Sequence, residues 1–139
     1  MPASHTSAKI RRVSSPQVSE PAAETWSNCL VVNGIAYVAG MIARGEDGKV
    51  LEGDEYAQAR LIFAKIRHLI EAAGGSMADV VKVVIYVTDI KQRQKVWRAR
   101  REVFNGDFPV STLVQVAALA EESVKVEIEA IAHLGAGQR

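Results

Sequence analysis

Cysteine is almost absent: of 139 residues, only Cys29 carries a thiol. One thiol excludes an internal disulfide framework and any zinc site built from several cysteines. Charge imbalance is equally slight, +1 at pH 7, so no strong field directs the chain toward nucleic acid or an acidic membrane. No apolar run is long enough to span a bilayer, and no charged-then-apolar signal segment opens the chain. These absences predict a soluble, cytoplasmic protein. His5, His68 and His133 are scattered, with no cysteine or carboxylate at ligand spacing, so no metal is predicted. There is no internal repeat and no low-complexity tract.

What remains is ordinary globular composition, 48% hydrophobic and 24% charged, in a chain long enough to bury one real core. A single domain is expected. It divides into an N-terminal segment over 1–24, a main unit over 25–134 and a tail over 135–139. Met1 to Thr6 is polar and expected to fray. Lys9 to Val13 suits a short strand, and Pro16 and Pro21 then mark a loop.

Thr25 to Val32 and Ile35 to Ile42 are strand candidates. Asn33-Gly34 between them suits a type I′ turn, whose central positions both need positive φ. Asp54 can cap a helix running to about Ala73. Ile62, Ile66, Leu69, Ile70 and Ala73 follow its 3.6-residue period, and Gly74-Gly75 ends it. Val80 to Val87 is apolar nearly throughout, as in a strand covered on both faces. Asp89 is placed to cap a second helix from about Lys91 to Asn105. Two helices can cover only one face of a mixed sheet of about six strands. The other face keeps many Val, Ile and Leu side chains, which predicts burial by another subunit.

The closing stretch, Phe108 to His133, contains two further strands, Ser111 to Ala118 and Val124 to Ile131, joined by the polar turn Ala120-Glu121-Glu122-Ser123. In the second strand Val124, Val126, Ile128 and Ala130 point one way. Lys125, Glu127, Glu129 and Ile131 point the other. Two carboxylates thus share a face, about 7 Å apart along the strand. They are either a polar face balanced by Lys125 or a pair with chemistry to perform.

The order Phe108-Pro109, a Val-x-Val strand, a turn and Val126-Glu-Ile-Glu-Ala-Ile-Ala132 resembles the C-terminal signature of the Rid/YjgF family of reactive-intermediate deaminases. The likeness extends to Val38-Ala-Gly-Met41, to Gln58-Ala59 and Glu71-Ala-Ala-Gly74, and to Asp79-Val-Val-Lys82 followed by Val84-Ile-Tyr-Val-Thr-Asp89. It covers roughly Trp26 to Ala132. The resemblance implies an α+β, chorismate-mutase-like fold: a mixed six-stranded sheet with two helices on one face, assembled as a homotrimer with ligand clefts at the subunit interfaces.

It also implies a site. In the family's active deaminases an arginine after Phe-Pro-x grips the substrate carboxylate, and the glutamate opening Glu-Ile-Glu positions the attacking water. Aligned from Phe108, the glutamate is Glu127 and the arginine position is Ser111. Losing the planar guanidinium there should remove about 2–4 kcal/mol of charge-assisted binding, about 30- to 1000-fold. This chain thus resembles a divergent branch that lacks the arginine, inefficient on free 2-imino acids. Thr112 and Leu113 follow Ser111 as ligand contacts. Trp26 replaces a usual tyrosine, Ala39 beside Gly40 a usual serine, and Trp97 a frequent asparagine. If a cationic clamp persists, Arg44 or a second-helix arginine from the neighbouring subunit is where it would come from.

The implied activity is hydrolysis of an imine, enamine or related C–N bond. It requires no cofactor, because an electrophilic imine carbon accepts water directly. The alternative is a non-catalytic metabolite-binding or partner-binding protein that keeps the cleft. Ser111 and Thr112 equally suit plain strand positions, Trp26 and Trp97 packing, and Cys29 either a small buried hydrophobe or a reactive thiol. Lys91, Arg93, Lys95, Arg98, Arg100 and Arg101 make the second helix basic. They surround it rather than forming one stripe, which favours a solvated helix over a nucleic-acid surface.

Overall fold

The structure, a computed structural model, describes residues 9–137. The fraying expected over 1–6, His5, and the last two residues of the tail lie outside the described residues. Six strands form one mixed sheet: β1 (Arg11–Val13), β2 (Cys29–Val32), β3 (Ile35–Ile42), β4 (Val80–Val87), β5 (Val110–Gln115) and β6 (Val126–His133). Their spatial order is β1-β2-β3-β6-β4-β5. The β4–β5 pair is parallel and every other pair antiparallel. Two helices, α1 (Glu55–Ala72) and α2 (Arg93–Val103), complete the α+β architecture.

Local chemistry accounts for the boundaries. At the β2–β3 turn Asn33 and Gly34 have φ of 51° and 72°, as the type I′ geometry requires. The Asp54 carboxylate accepts the Ala57 amide at 2.9 Å and caps α1. The apolar face of α1, Ile62, Phe63, Ile66, Leu69 and Ile70, is fully buried where the helix packs on β3 and β6. Those strands answer with Ala36, Val38 and Met41, and with Val126, Ile128, Ala130 and Ala132.

Several boundaries differ from the sequence reading. The strand expected from Thr25 starts only at Cys29, because the Thr25 hydroxyl bonds the Ala22 carbonyl in a turn and Trp26 lies in the following loop. Asp89 does not cap α2 directly. It accepts the Lys91 amide at the head of a 3-10 turn, Ile90–Gln92, and α2 follows from Arg93. The helix ends at Val103 rather than Asn105, since Phe104 turns to extended backbone and packs edge-on against Phe63, centroids 5.7 Å apart. The strand after Phe108 runs from Val110 to Gln115, and the last one runs on to His133. Those two do not pair: β4 lies between them, so the polar turn is part of a crossover.

Within one chain β4 is covered on one face only, because both helices lie on the same side. Val83, Ile85 and Val87 are buried, whereas Val84 and Tyr86 are half-buried on the other side. The uncovered face and the β5 edge carry Tyr37, Val110 and Val114, 44%, 67% and 41% exposed.

Candidate functional site

Strand alternation sorts the candidate residues by face. On β6, Glu127 and Glu129 project from the uncovered side, opposite the buried Val126, Ile128 and Ala130. In β3, Val38 stands opposite Ala130 and Met41 opposite Ile128, so Ala39 and Gly40 together oppose Glu129. This bulge brings Gly40 against the next carboxylate: a Cβ on residue 40 would lie 2.9 Å from Glu127 Cδ and overlap its Oε2. Only glycine leaves the Glu127 carboxylate where it is; a side chain at residue 40 would push it aside. The bulge is held from behind by the Ala39 amide, which donates to the Asn28 carbonyl at 2.9 Å.

The two carboxylates differ in their partners. Glu129 accepts a 2.7 Å hydrogen bond from the Tyr86 hydroxyl of β4. That bond raises the Tyr86 pKa above the usual phenol value, with burial and the charges of Glu129 and Glu127 adding to it. Half-buried Glu127 has its pKa raised above the usual carboxylate value, by burial first and then by the Glu129 charge. Lys125 does not balance this pair, because its ammonium donates to the Gly53 carbonyl at 2.7 Å. Glu127 is therefore the carboxylate of the two better suited to exchange a proton.

The β5 residues divide. Val83 pairs with Ser111, Val84 with Thr112 and Ile85 with Leu113. Paired residues in adjacent strands share a face, so Thr112 lies on the side of Glu127, while Ser111 and Leu113 turn toward the helices. The Ser111 hydroxyl indeed meets α2, accepting from Arg100 Nη1 at 2.9 Å. Arg100 lies beside the Trp97 ring, 5.7 Å from its centroid, with Arg93 at 5.8 Å. Trp26, 58% exposed, precedes β2, which β3, β6 and β4 separate from β5. One chain thus brings Glu127, Ala39 and Gly40 together, groups Ser111 with Trp97, and holds Trp26 apart.

Other candidates have contacts of their own. Arg44 is ion-paired with Glu121 and donates to the Gly48 carbonyl at 2.7 Å. Cys29 is fully buried, and burial pushes its thiol up to about 11, the behaviour of a small hydrophobe. On the basic helix Arg98 lies over the Tyr56 ring at 4.0 Å, and Lys95 approaches Asp54 at 3.9 Å. Among the described residues no group of three or more His, Cys, Asp or Glu stands together to hold a metal, and no helix is long and apolar enough to cross a membrane. A cleft of about 540 Å³ between Met77, Phe104, Asp107 and Gly137 includes none of the candidate residues.

Sequence reasoning missed Tyr86 and the Arg100–Ser111 contact, both tertiary, and Lys65. The Lys65 ammonium donates to the Ile42 carbonyl at 2.8 Å; burial and the Arg44 charge lower its pKa to about 8. The helical spacing of three between Trp97 and Arg100 was the one signal present beforehand.

A family model described as Endoribonuclease L-PSP matches residues 17–134. The structure superposes on RidA from the Antarctic bacterium Psychrobacter sp. with a TM-score of 0.82, at 30% identity over 89% of this chain and 99% of that one. The chain belongs to the Rid/YjgF family. This Rid-family chain is also similar to a protein of unknown function from Pseudomonas aeruginosa, 36% identical, with 94% and 96% of the chains covered and a TM-score of 0.84. E. coli TdcF, solved with bound serine, is 25% identical over 88% and 98% of the chains, with a TM-score of 0.80.

Proposed function

We propose that this Rid-family protein hydrolyses an imine, enamine or related C–N bond, without a cofactor, in a small-molecule cleft between the subunits of a homotrimer. The observation that carries the reading is Glu127, a half-buried carboxylate of raised pKa lying over the glycine of a β-bulge on the uncovered sheet face. As water adds to the C=N carbon, Glu127 takes its proton. That proton passes to the nitrogen to give the tetrahedral carbinolamine, which collapses as its hydroxyl proton also moves through Glu127 to the nitrogen, so that ammonia leaves and a carbonyl product remains. Main-chain donors at Gly40 and Leu113, with Thr112, would hold the polar end of the ligand. The serine bound to TdcF supports a ligand of amino-acid size.

Strand geometry supports the proposed assembly. Ser111 and Glu127 lie on opposite faces of the sheet in one chain, so a cleft using both takes them from two copies. Burial of the exposed Tyr37, Val110 and Val114 favours such packing. Sedimentation should give about 45 kDa, three times the 15.1 kDa chain. A stable monomer at micromolar concentration would remove the interfacial site.

Turnover tests the chemistry. Purified protein should accelerate hydrolysis of at least one freshly generated imine or enamine, followed by loss of its C=N absorbance. With Ser111 at the arginine position, 2-iminobutanoate should be a poorer substrate than for arginine-bearing relatives. That same serine favours the second reading, a metabolite-binding protein without turnover. Ligand affinity with no hydrolysis across imine, enamine and carbamate substrates would establish it. Gly40→Ala supplies a sharper check: the added Cβ forces the Glu127 carboxylate aside, and turnover should fall about 100-fold. The urea midpoint should barely move, because only a flexible side chain is displaced.

A further inference from the structure

Arg100 is a guanidinium without an anion. Among the described residues it makes no ion pair, and its hydrogen bond is the one to the neutral Ser111 hydroxyl through Nη1. Its Nε–Nη2 edge makes no hydrogen bond among those residues. That edge is a planar fork of the kind that holds a carboxylate through two parallel bonds. The group is half-buried, set between β5 and the Trp97 ring. Burial and the neighbouring Arg101 charge lower its pKa, as expected of a cation still lacking its counter-charge; at neutral pH it remains protonated. Of the other candidate cations, Arg44 is paired with Glu121, Arg98 lies over the Tyr56 ring within 3.9 Å of Glu102, and Arg93 donates to the Ile90 carbonyl.

We propose that Arg100 is the carboxylate-binding residue of the site, delivered from α2 to the β5 position that Ser111 occupies. The proposal rests on the functional reading above, in which the β5 edge of one copy meets the Glu127 face of the next. Ser111 is then the residue that holds the guanidinium at the strand edge, and its small size makes room for it. Trp97 supplies the flat wall, whose face attracts the cation and fixes the plane of the fork. The preferred ligand is an imine bearing a carboxylate. It is held less tightly than by an arginine on the strand itself, because one guanidinium nitrogen is spent on Ser111 and the long stem must be ordered from the helix.

The test compares the assembled wild type with Arg100→Met, which keeps the stem against Trp97 and removes the charge. KM for 2-iminobutanoate should rise about 10- to 100-fold, at least tenfold more than KM for the uncharged 2-imino amide. Arg100→Lys should recover part of this, and adding Ser111→Arg to Arg100→Met should recover more, by moving the guanidinium to the strand. Equal effects on acid and amide, or no effect on either, would overturn the proposal. Calorimetric binding of 2-oxobutanoate against 2-oxobutanamide separates this from failure of the deaminase reading. If wild type turns over neither imine, acid-over-amide preference that disappears in Arg100→Met still supports Arg100. An acid bound no better than the amide, or a preference that survives the substitution, overturns it.

Discussion

Glu127→Gln should lower kcat for imine hydrolysis by about 10²–10⁴-fold, the usual contribution of a positioned general base. The amide is isosteric and still fits over Gly40, so KM should change little, but it cannot take the proton of the attacking water. The pH profile carries an independent signature. On the proposed mechanism catalysis needs Glu127 ionised, so kcat/KM should fall on the acid side as it protonates. Burial and Glu129 raise its pKa, which places that limb above the value of about 4.3 set by an ordinary glutamate. Glu129→Gln removes one of the two causes and should move the limb toward lower pH.

The sign for stability is opposite to that for activity. A carboxylate whose folded pKa is raised binds its proton more tightly in the native state. Its contribution is fully present below the unfolded pKa and is lost as pH rises through the folded one. At neutral pH the ionised Glu127 therefore opposes folding, and Glu127→Gln should leave the urea midpoint unchanged or higher. An inactive variant that is no less stable would mark a residue kept for chemistry. Retained turnover in Glu127→Gln would eliminate it as the base.

Phe63→Ala should destabilise the protein by about 3–5 kcal/mol, the cost of removing a large buried ring and leaving a cavity. Phe63 is 1% exposed and joins both helices, since it lies on α1 and packs edge-on against Phe104 just beyond α2. The lost ring takes apolar burial and an aromatic contact together. Against a total stability of about 5–15 kcal/mol, the melting temperature should drop by about 10–20 °C. Urea titration at fixed protein concentration measures it, with concentration held constant because the proposed assembly would be linked to folding. A change below about 1 kcal/mol would mean that the two helices dock independently of this contact.

The sequence was most informative where one periodicity had one meaning. The apolar face of α1 and the alternation of Val126 to Ala130 were legible because burial on one side leaves a repeating trace. Asn33-Gly34 was legible because so few residues accept positive φ. Boundaries failed where a tertiary contact overrode the local pattern: Phe104 leaves the helix to reach Phe63, and Thr25 is held in a turn. For the candidate site, resemblance pointed to Glu127 and Ser111, and alternation placed Glu127 beside Glu129. No spacing rule could show that Tyr86 bonds Glu129, that Lys125 is occupied by Gly53, or that Arg100 of the same chain donates to Ser111. Those are meetings between separate elements, 43, 72 and 11 residues apart.

The strand order β1-β2-β3-β6-β4-β5 has a consequence for how the molecule is made. The last strand in sequence is central in space, pairing with β3 on one side and β4 on the other. Until β6 has left the ribosome, the earlier strands exist only as two fragments, a meander of β1 to β3 and the parallel pair β4–β5, with no hydrogen bonds joining them. Closing the gap depends on long-range pairing, which slows folding and makes it all-or-none late in synthesis. Glu127 lies on that closing strand, so the carboxylate proposed to accept the proton and the sheet that positions it come into being in the same step.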